Sequence, residues 1–215
     1  MGPRGAPADP PARPGHSPSL VPALDIAVKV GLVALLLVAV IWPDLGGLKG
    51  KAAGARLAVY PVGAAAVPLV WWATRRRRPR PFPWLGDLLF TLPWFLDTLG
   101  NRLNLFDTIS WWDDWMHFLS WGLLTAGILV LFPPAGGLPP TLERALAFGC
   151  ASALLWELGE YAAFIRHSPE LQTAYTDTLG DLTLGTLGSL VAGVVLWRIR
   201  RDEPSRESVS AEQQR

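Results

Sequence analysis

Three short stretches carry the ionisable residues whose spacing could do chemistry. In Asp113-Asp114-Trp115-Met116-His117-Phe118, Asp114 and His117 are i, i+3 and Asp113 and His117 are i, i+4. Either pair shares one face of a helix. In Glu157-Leu158-Gly159-Glu160-Tyr161 the two glutamates are i, i+3. In Asp177-Thr178-Leu179-Gly180-Asp181 the two aspartates are i, i+4. Carboxylates with an imidazole suit a divalent metal such as Mg, Mn, Fe or Zn. Without a metal the same groups can relay protons. The leading assignment makes Asp114, His117, Glu157 and Asp181 the metal ligands, with Glu160 or Asp177 as the base for a water. D-x-x-H, E-x-x-E and D-x-x-x-D each recur by chance, and only their coincidence at one place points to a site.

The elements that must position these residues are membrane helices. Half of the 215 residues are hydrophobic, and they fall in blocks near the ~20 residues that cross a bilayer. Six spans are predicted, at about 24–42, 57–72, 82–99, 115–132, 145–165 and 179–197. In lipid the backbone must satisfy its own hydrogen bonds, so each span is a helix and the fold is an all-α polytopic bundle. The third span holds Asp87, Pro93 and Asp97 and is the one that could be re-entrant. Residues 1–22 contain seven prolines and no apolar period, and residues 201–215 are polar; both are expected to be disordered tails around a transmembrane domain at 23–200. Trp42-Pro43-Asp44 stands where a cleavage site would be small-x-small, so the first span is expected to be retained as a signal anchor.

Basic residues orient the bundle. Arg75-Arg76-Arg77-Arg78-Pro79-Arg80 follows the second span and Arg198-Ile199-Arg200-Arg201 follows the sixth. Lys and Arg remain cytoplasmic. The two clusters agree across four intervening spans, which puts both termini in the cytoplasm. Lys49, Lys51 and Arg56 then lie outside, against the rule. The same topology puts Asp97, Asp107, Asp113, Asp114, His117, Glu157, Glu160, His167, Asp177 and Asp181 all at outer ends. Isolated carboxylates in hydrocarbon cost several kcal/mol each, so they should face one another across a pocket that opens outward. Either some are protonated or a cation lies among them. Asp107 can alternatively cap a short interfacial helix with Thr108 and Ser110, Asp97 can do either, and His167 reads as a solvated loop residue.

Other features bound the reading. A net charge of +1 gives no field for nucleic acid. Cys150 alone allows no internal disulfide and no multi-cysteine zinc site. Of eleven tryptophans, Trp42, Trp71, Trp72, Trp84, Trp111, Trp112, Trp115 and Trp197 fall at span ends, where indoles favour the headgroup layer. Gly185, Ser189 and Gly193 repeat every four residues, with Gly188 nearby. Such a face lets helices approach closely, pulling span 6 against spans 4 and 5, or serving as a homo-oligomer seam. Membrane lipids are the expected partners, and the abundance of Arg, Ala, Gly and Pro suggests a bacterial source.

Over about residues 107–193 the chain resembles the VanZ-like proteins and the related YjdF-type inner-membrane proteins of bacteria. The resemblance rests on Asp114 and His117, on Glu157 and Glu160, and on Asp181 with Gly188. Glu160 replaces a Gln of the VanZ-like pattern, and Thr183 to Gly185 stand near an expected Asn, which favours the YjdF-type branch. The resemblance implies a multi-pass inner-membrane protein of largely undefined activity. Three functions stay open: metal-dependent action on a lipid or lipid-linked headgroup, a proton- or cation-coupled transporter, and a non-catalytic scaffold.

Overall fold

The computed structural model describes residues 20–48, 51, 53–77, 80–163 and 165–213, with side chains described as far as Asp202. Most of the expected N-terminal tail (with His16), Lys49, Arg78 and the C-terminal side chains beyond Asp202 lie outside the described residues. The described chain is all helical. Its elements are α1 (Leu20–Ile41), the single turn α2 (Pro43–Gly46), α3 (Ala53–Thr74), α4 (Trp84–Arg102), the single turn α5 (Leu105–Thr108), α6 (Trp112–Leu131), α7 (Leu138–Ala163) and α8 (Ala174–Gln213). The six long helices coincide with the six predicted spans.

Four of them, α1, α3, α6 and the Ala174–Asp202 part of α8, are long and apolar enough to cross a membrane. The other two are α4 and α7, of which α4 carries Asp87 and Asp97 and α7 carries Glu143, Glu157 and Glu160. α4 is a continuous helix of 19 residues, with Pro93 buried inside it. At 1.5 Å per residue it spans roughly 28 Å, close to the hydrocarbon thickness. Its low apolarity has a local cause: Asp87 is buried inside the bundle and Asp97 is only 17% exposed. α4 packs on α1, α3 and α6.

The bundle is apolar outside, and within it apolar clusters alternate with buried polar and charged side chains. On α1, Val30, Val33 and Leu37 are exposed at 64%, 56% and 53%, while Asp25 is 1% exposed. That inversion is what a hydrocarbon solvent demands. Trp42, Trp72, Trp111 and Trp115 are exposed at helix ends, as an interfacial belt requires. Arg75 lies 5.2 Å from the centre of the Trp71 ring, and Arg201 lies 5.0 Å from that of Trp197. At the end of α6, Arg144 Nη1 donates to the Phe132 carbonyl at 2.6 Å and Arg200 Nη2 donates to that of Leu129. These cations therefore also satisfy carbonyls that a helix terminus leaves without partners.

Contacts fix the directions of the helices. Asp181 faces His117, Gly185 faces Trp121 and Ser189 faces Thr125, so α8 runs parallel to α6. α7 runs antiparallel to both, with Glu157 near Thr178 and Gly149 against Ser189. The small-residue face of α8 closes this seam. Thr125 Oγ1 donates to Ser189 Oγ at 2.9 Å, both residues being fully buried. Gly193 abuts Ala145 and Leu142. The Gly185/Ser189/Gly193 face considered as a seam for a second copy is thus filled by the chain's own α6 and α7.

Gly188 is the tightest point of this seam. A Cβ there would lie 2.0 Å from the Phe118 carbonyl oxygen, whereas one on Gly180 would meet nothing within 4 Å. Gly188→Ala should force the helices apart and cost about 1–3 kcal/mol, the range of overpacking. Gly180→Ala should be neutral or slightly stabilising, because Ala favours helix. Thermal unfolding in detergent tests the pair; equal midpoints for the two variants would show that the close approach does not hold the bundle.

Candidate functional site

Helix periodicity brings the acids to one end. His117 lies one turn inside the start of α6, Glu157 in the penultimate turn of α7, and Asp181 two turns into α8. The antiparallel α7 and parallel α8 set all three at one depth. His117 Nε2 is 3.6 Å from Asp181 Oδ1 and 3.8 Å from Asp113 Oδ1, and its Nδ1 is 3.9 Å from Glu157 Oε1. These separations exceed hydrogen-bond reach. They suit groups that converge on a common partner better than groups bonded to one another. Potential ligand atoms fall into two sets, Asp113–His117–Asp181 and His117–Glu157–Glu160, each within 4.8 Å of one another. The imidazole is shared by both. Its side chain is 11% exposed, and its Nδ1 is buried without a hydrogen bond. Glu157 is held by Thr178 Oγ1, which donates to Oε2 at 3.2 Å.

The sequence-assigned residues divide as follows. His117, Glu157, Glu160 and Asp181 come together. Asp177 lines the same cavity from an exposed position. Asp114 is exposed and contributes to neither set; Asp113, whose side chain is 49% exposed, is the acid that approaches His117. His167 is exposed, as a loop residue should be.

Asp113, His117, Glu160, Asp177 and Asp181 border a cavity of about 380 Å³, which also takes in Lys51, Arg56, Tyr60, Asp97 and Asp107. Two of the cations that break the positive-inside pattern, Lys51 and Arg56, are paired here. Arg56 Nε lies 3.2 Å from Asp97 Oδ2, and Lys51 Nζ lies 2.7 Å from Asp107 Oδ2. Asp107 is therefore an ion-pair partner on α5, whose N-cap has no side-chain hydrogen bond. Tyr60 OH also donates to Asp97 Oδ2, at 2.6 Å, and Arg56 Nη1 donates to the Lys51 carbonyl. Neither Arg56 nor Tyr60 was singled out as a site residue from sequence. The three tryptophans not assigned to an interface, Trp94, Trp121 and Trp156, line the cavity. Tyr60 and Trp156 both stack near Trp94, at 5.1 and 6.0 Å between centroids. Below, Trp121, Leu124 and Ala153 form an apolar cluster with Phe90, Phe148 and Leu182.

A second polar cluster escaped the sequence reading. Lys29 Nζ lies 2.7 Å from both Asp25 Oδ1 and Asp87 Oδ2, and both aspartates are 1% exposed. It joins the starts of α1 and α4, at the end of the bundle opposite His117. The i, i+4 spacing of Asp25 and Lys29 in an otherwise apolar span was its signal.

Fold and site together define a polytopic helical membrane protein with a polar, acid-rich cavity at one end of its bundle. Residues 27–202 match the family described as Predicted membrane protein (DUF2238), and the chain belongs to that family. No curated protein and no solved structure matches the chain.

Removing one member of a buried ion cluster leaves an uncompensated charge, at a cost of about 3–5 kcal/mol. Lys29→Met should therefore lower the unfolding midpoint markedly, and adding Asp87→Asn should restore part of the loss. The double-mutant comparison in detergent checks this; an unchanged midpoint for Lys29→Met would mean the cluster does not bear on stability.

Proposed function

We propose that this protein holds a divalent cation at His117 and uses it on the polar headgroup of a lipid or lipid-linked molecule. The observation that carries the reading is the convergence of carboxylates from α6, α7 and α8 on one largely buried imidazole in the wall of a cavity of about 380 Å³. The best-matched ligand set is His117 Nε2 with Asp113 and Asp181. Glu157, facing Nδ1, would then orient the ring, as a carboxylate behind a metal-bound histidine commonly does. Glu160 and Asp177, at the cavity wall, are the bases available to a water. The cation would neutralise the clustered acids and polarise a phosphoryl or carbonyl oxygen.

Topology and location follow the basic clusters. Both termini are assigned to the cytoplasm and the cavity to the outer face of a bacterial inner membrane. Pairing of Lys51 and Arg56 with Asp107 and Asp97 supports this orientation, because the outer cations are neutralised. The VanZ-like and YjdF-type resemblance over 107–193 supports the same placement.

A proton- or cation-coupled transporter is the second reading. It is favoured by the Asp25–Lys29–Asp87 cluster, which puts ionisable groups at the far end of the same bundle. The apolar cluster of Trp121, Leu124 and Ala153 below the cavity weighs against a continuous polar path.

Metal analysis of purified protein dialysed against Mn²⁺ or Zn²⁺ tests the proposal. Wild type should retain about one ion per chain and lose thermal stability on chelation, since a ligand at 100 times its Kd stabilises by about 2.7 kcal/mol. His117→Ala and Glu157→Ala should lose the ion, or most of its affinity, and the response to chelator. Equal metal content in wild type and both variants would sink the metal site. Stoichiometric proton flux in proteoliposomes would instead favour the transporter.

A further inference from the structure

A second concavity, of about 220 Å³, lies between α3 and α7 on the lipid-facing side of the bundle. Its walls are Ala55 and Val59 on α3 with Leu155, Gly159 and Ala163 on α7. They are apolar, and Leu155 and Val59 are exposed at 69% and 45%. It shares Arg56, Tyr60, Trp156 and Glu160 with the acidic cavity. Among the described residues α3 packs on α4 and α1, α7 packs on α8 and α6, and no extended seam joins α3 to α7. They meet through Tyr60 and Trp156, whose rings are 6.3 Å apart. The two hollows are thus adjoining compartments, one apolar and open to hydrocarbon, the other polar, with a shared wall at the depth of Arg56.

We propose that this gap is a lateral portal, and that its occupant is a phosphate-bearing membrane lipid with an acyl chain in the α3–α7 groove and its headgroup beside Arg56. Three observations argue for that occupant. The groove is walled by exposed aliphatic residues and glycine, which a hydrocarbon chain fits and a polar ligand does not. The groove adjoins the polar cavity at the four residues that line both, as an amphiphile spanning the two requires. Arg56 is the only cation among the lining residues common to both; its Nε goes to Asp97 and its Nη1 to the Lys51 carbonyl, which uses two of the five donors of a guanidinium fork that suits phosphate oxygens. The inference deepens the headgroup reading above by naming the lipid class and its direction of approach. It does not depend on the metal.

Photocrosslinking in nanodiscs tests the portal. The probe is a phosphatidylglycerol with a diazirine in mid-chain, compared with a diacylglycerol carrying the same chain. Adducts are mapped by mass spectrometry. Phosphatidylglycerol should label Val59, Leu155 and Ala163 more strongly than Val33 and Leu37 on α1, which are also lipid-exposed. Gly159→Phe should reduce groove labelling several-fold without unfolding the protein, because a Cβ at Gly159 meets nothing within 4 Å. The diacylglycerol should label the groove more weakly. Equal labelling of groove and α1, labelling indifferent to Gly159→Phe, equal labelling by both probes, or chain-to-chain crosslinks at Leu155 in place of lipid adducts would each overturn it. Labelling is read with and without chelator. Groove labelling of protein that retains no metal on dialysis leaves the portal standing while the metal site falls. Metal retention without groove preference does the reverse.

Discussion

A carboxylate cannot face hydrocarbon, and that constraint organises this bundle. Charged groups near the bilayer centre cost several kcal/mol unless they find partners. The described structure answers in two ways. At one end, Asp25 and Asp87 close on Lys29. At the other, Asp97 and Asp107 take Arg56 and Lys51, while Asp113, Glu157, Glu160 and Asp181 gather around His117 with too few cations to match them. The first group is balanced apart from one charge, and both of its acids are buried. The second is acid-rich and opens to a cavity. That asymmetry separates a structural cluster from a site able to take up a cation.

Close helix packing makes the convergence possible. Without a hydrophobic drive between helices, association in lipid depends on packing and on hydrogen bonds between helices. Gly185, Gly188, Ser189 and Gly193 let α8 lie directly on α6 and α7, with Ser189 bonded across to Thr125. Asp181 stands one turn before this contact, so the seam that holds the bundle also sets the distance from Asp181 to His117. Stability and site geometry are coupled through α8.

Much of the architecture was legible because hydrocarbon imposes blocks of apolar residues, and six blocks gave six long helices. Boundaries shifted, most of all where α7 begins at Leu138 and α8 continues to Gln213, since polar end turns such as Trp112–Asp114 continue a helix without adding apolarity. The choice between Asp113 and Asp114 was not legible. On a helix of 3.6 residues per turn they lie about 40° and 60° to either side of His117, so both share its face. Only the placement of α7 and α8 separates them. Arg56, Tyr60, Trp94 and Trp156 were missed for a related reason. They lie on helices outside the motif-bearing region or in its apolar runs, and their roles arise from tertiary packing. One trace was present: Lys51 and Arg56 break the charge rule in the predicted topology, and each is paired with an acid at the cavity.

The central claim is that these acids line a water-reached cavity on the extracytoplasmic side. Ser120 lines that cavity from α6, and Arg77 follows the end of α3 at the opposite end of the bundle. In a Cys150→Ser background, Ser120→Cys should react with a membrane-impermeant maleimide added to intact spheroplasts. Arg77→Cys should react only after the membrane is opened. Labelling of Arg77→Cys in intact spheroplasts, with Ser120→Cys protected until lysis, would contradict the account.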